Sequence, residues 1–489
     1  MSTSTEVLLA AFESYRVGDL ARAQQLCREI LAADSRNADA WRLLGVVADD
    51  RRDFAAAIQC YRQAIACGPD VPDSHFNLGV VFQKQVQLDA AAEAYRGAIR
   101  AKPDYAQAHN NLGTVYKLQY KLNESIACYE RALECRPNFA EALNNLGNVL
   151  KTQGRAAEAT ICYEQTLRIK PDHAQARYNR SLMHLAAGDL AAGWPDYECR
   201  AQCPGFVRRD FSEPLWQGDA LAGRVLLVHA EQGLGDTIQF VRYVPFLARE
   251  GAKIVLEVPG SLLPLLKQSG YGRMAALVAT GAALPHFDVQ APLLSLPGIF
   301  GTTLDYVPGR VPYLAADPQS VNRWAETLAG PERFKIGIAW QGSKAHSGDR
   351  YRSIPLACFA PLAQGGVEFI SLQKGPGAEQ LADVADQFQV REVGRFDEEH
   401  GAFMDSAAVM LNLDLVVTSD TAVAHLAGAL GVRVWVALAL APDWRWMFDR
   451  PDSPWYPTMR LFRQLTFDDW PAVFDRMGET LRRELAQRP

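Results

Sequence analysis

Three short segments carry residue types that can do chemistry together. Glu231-Gln-Gly-Leu-Gly-Asp-Thr237 places a carboxylate, Asp236, on a glycine turn directly after the apolar run Arg224 to Ala230. At the carboxyl edge of a buried strand, such a carboxylate can take a proton from a group lying in a facing cleft. Gly233, Gly235 and Gln239 flank it and are candidates to hold that proton-giving acceptor. Asp236 also fits a plainer role, an acid in the first turn of a helix that it stabilises through the dipole.

The second segment runs from Val417 through Ser419, Asp420, Thr421 and Ala422 to His425, from a strand end through a polar turn into a helix start. Amides near Thr421 to Val423 can face an anion, and His425 falls near the same helix face as Thr421. The third, Trp340 to Ile354, gathers Ser343, Lys344, His346, Arg350 and Arg352 on a small-residue loop. That concentration of cationic donors suits a leaving diphosphate, although a solvated basic loop reads the same way. Lys374, Glu379 and the run Pro442-Asp-Trp444-Arg-Trp446 also follow strands and suit a nucleoside, while their aromatic members suit a core equally.

A dinucleotide site at Gly233-Leu-Gly235 is the alternative reading, with Glu257 about 20 residues on as its ribose-binding acid. Ile238 occupies the third fingerprint position, however, and Asp236 stands where pyrophosphate oxygens would gather. Repulsion there disfavours an NAD-dependent oxidoreductase.

Positioning these loops requires alternating strands and helices. Apolar runs at 224–230, 253–258, 334–340, 368–372, 413–417 and 432–438, separated by helical stretches, predict two doubly wound α/β halves with a cleft between their sheets. We place the halves at 222–318 and 319–465, with a closing helix in 466–489 capped by Asp468 or Asp469. A linker containing Pro204 and Pro214 occupies 201–221.

Residues 1–200 follow another rule. Gly45, Gly79, Gly113 and Gly147, each after leucine, recur every 34 residues, and so do Tyr61, Tyr95, Tyr129 and Tyr163, and Pro69, Pro103, Pro137 and Pro171. The pattern predicts five to six helix pairs, with glycine admitting the second helix, tyrosine filling the gap and proline ending the pair. A degenerate first unit surrounds Gly18, and Asn179 to Tyr197 caps the stack or joins it to the α/β region. Cys60, Cys128 and Cys162 precede the repeat tyrosines and so read as packing residues. Asn77, Asn111, Asn145 and Asn179 share the period and predict a row of amides able to bond an extended peptide, or to be satisfied locally.

Composition narrows the classes further. At 489 residues with 48% hydrophobic and 22% charged, the chain is neither disordered nor fibrous. Fifty basic against 56 acidic residues, net −6, without a long basic run, argue against a nucleic-acid partner. The opening MSTSTEVLLAAFESYRVGDL has no basic region before an apolar run, and no stretch approaches 18 apolar residues, so neither an ordinary secretion signal nor a membrane span is expected. Nine cysteines without a CxxC fit a reduced, cytoplasmic setting.

The 34-residue pattern resembles the tetratricopeptide repeat, and the asparagine row is similar to that of O-GlcNAc transferases, where it holds the acceptor protein. Residues 222 to 465 resemble glycosyltransferase family 9, the family of the ADP-heptose:lipopolysaccharide heptosyltransferases, on the Gly-Asp turn, the basic loop and the Asp420-Thr421-x-x-x-His425 helix start. The resemblance implies a GT-B pair of Rossmann-type lobes and inverting transfer from a nucleotide-sugar donor without metal or cofactor. It implies Asp236 as base, Asp420, Thr421 and His425 on the donor diphosphate, Arg352 or Arg350 on phosphate, and Glu379 on ribose. The first half is shorter than in the heptosyltransferases, which also lack the repeats, so a lipopolysaccharide acceptor is not implied. A repeat scaffold without turnover is the alternative in another class.

Overall fold

The structure, a computed structural model, describes residues 4–206, 209–221, 223–249, 251–344, 348–394, 396–398 and 401–488. Contacts divide it into two compact units, Met1–Ala176 and Arg177–Pro489.

The first unit is a run of antiparallel helix pairs: α1 Ser4–Arg16 with α2 Leu20–Ala33, α3 Ala38–Asp50 with α4 Phe54–Cys67, α5 Pro72–Lys84 with α6 Leu88–Ala101, α7 Ala106–Leu118 with α8 Leu122–Cys135, and α9 Ala140–Thr152 with α10 Ala156–Ile169. The repeat glycine and tyrosine meet as expected. A Cβ on Gly45, Gly79, Gly113 or Gly147 would lie 2.5, 2.7, 2.9 or 2.6 Å from the ring of Tyr61, Tyr95, Tyr129 or Tyr163. Each ring is buried, so every such pair locks on one aromatic plug whose hole exists only without a side chain. Asp19, Asn37 and Asp53 cap α2, α3 and α4 by accepting backbone N–H groups of Arg22, Ala40 and Ala56. All nine cysteines are free thiols, and burial raises the pKa of Cys60, Cys128 and Cys162, as packing residues require.

The second unit starts earlier than the sequence suggests, within the hairpin of α11 Ala174–Ala186 and α12 Leu190–Tyr197. The reason is aromatic packing. Trp194 and Tyr197 lie 5.4 and 5.9 Å from Trp444, and Trp194 Nε1 donates to the Thr302 carbonyl at 2.9 Å. Described residues of the segment expected to be a linker, 201–221, also pack into this body. Trp216 and Leu221 are buried, and Leu215 bridges to Gln290 beside the first sheet.

Among the described residues this unit holds two all-parallel sheets. β1 Val225–His229, β2 Lys253–Val258, β3 Ala275–Ala279 and β4 Val289–Pro292 form the first, in order β3-β2-β1-β4. β5 Phe334–Ala339, β6 Val367–Ser371, β7 Val390–Arg391, β8 Leu415–Ser419, β9 Val434–Leu438 and β10 Met459–Arg463 form the second, in order β10-β9-β8-β5-β6-β7. Strand order reverses between β1 and β4, and between β5 and β8. Loops diverge at such points and leave a crevice at the carboxyl edge. The loops after β1, β5 and β8 carry the three candidate segments. The closing helix, Trp470–Leu485, is capped by Asp469, which accepts the Ala472 N–H. No helix among the described residues is long and apolar enough to cross a membrane.

The turn inside each helix pair takes left-handed backbone. Gly18, Arg52, Val86, Tyr120 and Gly154 occupy the equivalent position, at φ of 86, 61, 59, 61 and 74°, so the middle pairs place residues with side chains where glycine fits best. Val86 is exposed there, and its branched side chain bears the conformational cost without compensating burial. V86G is expected to raise the unfolding free energy by about 1 kcal/mol, read from urea denaturation at unchanged m-value.

Candidate functional site

Helix α13, Leu234–Phe240, packs against the helix Ala422–Leu430. Their first turns meet closely: a Cβ on Gly235 would lie 2.7 Å from His425 Cδ2 and 3.6 Å from Ala422 Cα. Asp236 turns back to its own helix start, where Oδ2 accepts the Gly233 N–H at 2.9 Å, so the helix-acid role is real. Its other oxygen, Oδ1, accepts from Arg445 Nη2 at 2.5 Å.

Arg445 ties the two halves of the unit. Its Nε donates to Gln239 Oε1 at 2.6 Å and its Nη1 to Asp443 Oδ1 at 2.8 Å, while its guanidinium lies over Trp444 and Phe240. Burial opposes its charge, but Asp443 and Asp236 hold its pKa well above the ordinary arginine value. Phe240 and Tyr243 from the first half join Trp444, Trp446 and Trp455 from the second in one apolar cluster. The halves, between which the sequence predicts a cleft, therefore share an aromatic core.

His425 is 5% exposed, stacks on Trp446 at 5.2 Å and shares a hydrogen bond of 2.9 Å between Nδ1 and the Tyr456 hydroxyl. Burial first, then the charge of Arg445, lowers its pKa to about 3, so it is neutral at physiological pH. It can offer an anion a neutral N–H donor but no charge. Asp420 behaves oppositely: burial and the charge of Asp443 push it up to about 7, against the pull of Trp446, Arg352 and Arg445. Asp443 stays low because Arg445 outweighs the burial that would raise it. Thr421 caps the helix by backbone alone, without a side-chain cap bond, and Ser419 is buried with its hydroxyl unpartnered among the described residues.

Among the described residues of the basic loop, Arg352 is drawn toward the turn after β8. Arg352 Nη1 donates to the Asp420 carbonyl at 3.1 Å, joining the loops after β5 and β8 at the switch point. Ser343, Lys344 and Arg350 are exposed, with Lys344 Nζ 3.9 Å from Glu379 Oε1. Glu379 Oε2 also accepts the Gly377 N–H. Lys374 is turned away from this group, its ammonium donating to the Phe396 carbonyl. His346 lies outside the described residues.

The dinucleotide alternative fails on Glu257. It is 0% exposed and ion-paired with Arg209, so no ribose can reach it, and Ile238 is core. Glu231, in the loop that leads into α13, is held by buried Arg200, which also binds Glu198 and Ser295. Arg200, expected at the linker edge, is thus an internal brace.

In the first unit the asparagines bond along the stack. Asn145 Nδ2 donates to Asn110 Oδ1, Asn110 to Asn111, Asn111 to the Tyr95 hydroxyl and Tyr95 to Gln83 Oε1, at 3.1, 3.1, 3.3 and 2.8 Å. Local satisfaction and a shared row therefore coexist. A cleft of about 270 Å³ lies beside this chain of bonds, lined by Val80, Gln83, Lys84, Tyr95 and Asn111. Asn77 is half-buried. Asn179 is 4% exposed and belongs to the second unit, so the accessible row does not extend to it.

The sequence singles out none of Arg445, Asp443 and Gln373 individually. Gln373 joins the loops after β5 and β6, its Oε1 accepting the Trp340 and Gln341 N–H groups at 3.0 Å and its Nε2 donating to Pro376 O. The available signal was position: Gln373 and Asp443 each follow a strand at the carboxyl edge.

The opposed shifts of His425 and Asp420 make a test. His425, with its folded pKa below the unfolded 6.5, contributes stability that is complete above about 6.5 and lost as pH falls toward 3. Asp420, with its folded pKa raised above the unfolded 3.8, weakens the fold most above pH 7 and costs less as pH falls toward 4. The two largely cancel between about pH 4 and 6.5. D420N is expected to gain stability over wild type at about pH 8 and to lose that advantage on acidification, and H425Q to gain over wild type on acidification. Each slope approaches about 1.4 kcal/mol per pH unit at most, read by denaturation at stepped pH.

Family-level similarity falls within the first unit. Tetratricopeptide-repeat profiles match residues 13–72, 87–119 and 104–172. Protein FlbA of Caulobacter vibrioides is 27% identical over 328 residues, 63% of this chain and 54% of FlbA, so the chain spans about half the length of that curated relative. Among solved structures, YrrB, described as a tetratricopeptide-repeat protein with an unusual peptide-binding site, is 22% identical over 37% of this chain and 93% of its own, with a TM-score of 0.33. The pilF protein of Pseudomonas aeruginosa is 18% identical over 41% of this chain and 92% of its own, with a TM-score of 0.38. The helix pairs, their glycine-tyrosine locks and the profile matches identify the N-terminal unit as an array of tetratricopeptide repeats.

Proposed function

We propose that the C-terminal unit is a glycosyltransferase of the GT-B type, moving a sugar from a nucleotide-sugar donor to an acceptor, with the repeats recruiting a protein or peptide that carries it. The observation that supports this reading is the meeting of the Asp236 helix start with the helix start at Thr421 and His425, two loops from different sheets with separate claims to chemistry. In the reaction, Asp236 takes the acceptor proton as the acceptor oxygen attacks the anomeric carbon from the face opposite the diphosphate. The helix-start amides and the neutral His425 N–H stabilise the charge gathering on the departing diphosphate. Arg352 shapes the turn through the Asp420 carbonyl. The resemblance to glycosyltransferase family 9 implies that the transfer is inverting and metal-independent.

A second reading, a non-catalytic scaffold with a transferase-like body, draws on a different observation. Both Asp236 oxygens are engaged, and aromatic rings from the two halves pack in one cluster. The two readings part on one experiment. A panel of UDP-, ADP-, GDP- and CMP-sugars with the purified full chain is expected to yield donor hydrolysis, and D236N to lower it about 10²- to 10⁴-fold. Donor binding without turnover, or full turnover by D236N, rejects the base assignment. N111A and N145A are expected to weaken capture of the protein acceptor several-fold at unchanged donor hydrolysis, since they alter only the repeat surface.

A further inference from the structure

We infer that Arg445 is a positioning residue that fixes Asp236 in one rotamer and in its ionised form, and that Asp443 sets Arg445 for this task. As a role in turnover the inference rests on the glycosyl-transfer reading; as a statement about the Asp236 carboxylate it does not.

Every nitrogen of the guanidinium is engaged. Nη2 reaches Asp236 Oδ1 at 2.5 Å and Nε reaches Gln239 Oε1 at 2.6 Å, two acceptors less than one helical turn apart on α13. Nη1 reaches Asp443 Oδ1 at 2.8 Å, and the same oxygen accepts Arg445's own backbone N–H at 3.0 Å. Asp443 therefore holds both the root and the tip of the side chain. The rings of Trp444 and Phe240 pack beside it, 4.7 and 5.3 Å from the guanidinium carbon. A planar fork with all three nitrogens engaged delivers one N–H to one place, which a lysine ammonium on a flexible stem does not. Asp236 is held from its other side by the Gly233 N–H, so among the described residues donors on both oxygens orient the carboxylate. Residues that orient metal ligands from behind in the same manner change activity by about 10- to 100-fold when removed.

The test uses the full chain with R445Q and R445K. Aspartate carboxyls labelled with carbon-13 allow Asp236 to be titrated without substrate. In R445Q its midpoint is expected to rise by about one to two pH units, and in R445K to stay near wild type, because charge survives without the fork. Identical midpoints in wild type and R445Q would overturn the inference. Against the sugar nucleotide that wild type hydrolyses, R445Q is expected to lower kcat about 100-fold with KM changed less than about threefold, and to move the acid limb of the rate profile to higher pH. R445K is expected to restore the acid limb but only part of kcat. A loss in KM alone, or an unmoved acid limb, counts against positioning. If R445Q does not fold, R445K decides: wild-type kcat in that variant overturns the role of the fork. Should wild type hydrolyse no sugar nucleotide, the transfer reading and the role in turnover fall together, while the carboxyl titration still decides whether Arg445 governs Asp236.

Discussion

The buried guanidinium of Arg445 sets the terms on which the two halves of the C-terminal unit meet. A cation taken out of water costs several kcal/mol unless it finds partners, and here the partners come from both sheets: Asp236 and Gln239 from one, Asp443 from the other. Neither half satisfies it alone. The tight contact between Gly235 and His425 accompanies this, because bringing Asp236 to Arg445 presses one first turn onto the other, and only a residue without a side chain fits there. Burial works against every charge here, and Arg445 overcomes it for Asp443, which stays ionised, while burial and the neighbouring Asp443 charge raise Asp420.

The same arrangement separates the titratable groups. His425, Asp420 and Asp443 lie within one electrostatic neighbourhood, yet their proton affinities diverge in opposite directions from ordinary values. Divergence of this sort marks sites where protonation states have been sorted, although structural ion-pair networks produce it too. Here the sorted groups stand at the carboxyl edge of a parallel sheet beside its switch point, where open α/β folds hold ligands.

The helix pairs were legible in the sequence because repetition multiplies a weak signal: one Leu-Gly means little, and four at equal spacing define a frame. The parallel sheets were legible from apolar runs bounded by small-residue loops. The unit boundary was not, because Trp194 sits in a repeat-like hairpin while the ring it packs on, Trp444, is some 250 residues away. Arg445 was hidden for a similar reason: its acceptors on the first half lie over 200 positions upstream, and a lone arginine between two tryptophans looks like any surface cation. Asp236, Asp420, Thr421 and His425 could be singled out since each stands at a strand-to-helix turn. Lys374 misled because a lysine after a strand carries no mark of the carbonyl to which it turns.

The amide chain in the repeats has a direction. From Asn145 through Asn110, Asn111 and Tyr95 to Gln83, each group donates to the next, and the chain as a whole runs toward the N-terminal end of the array. Turning one internal amide over would break two links at once, so the orientations are set collectively, and each bond polarises the next. The surface beside the 270 Å³ cleft is accordingly not symmetric between its two ends. An extended strand laid along it in one sense would meet donors and acceptors in an order that the reversed strand could not match.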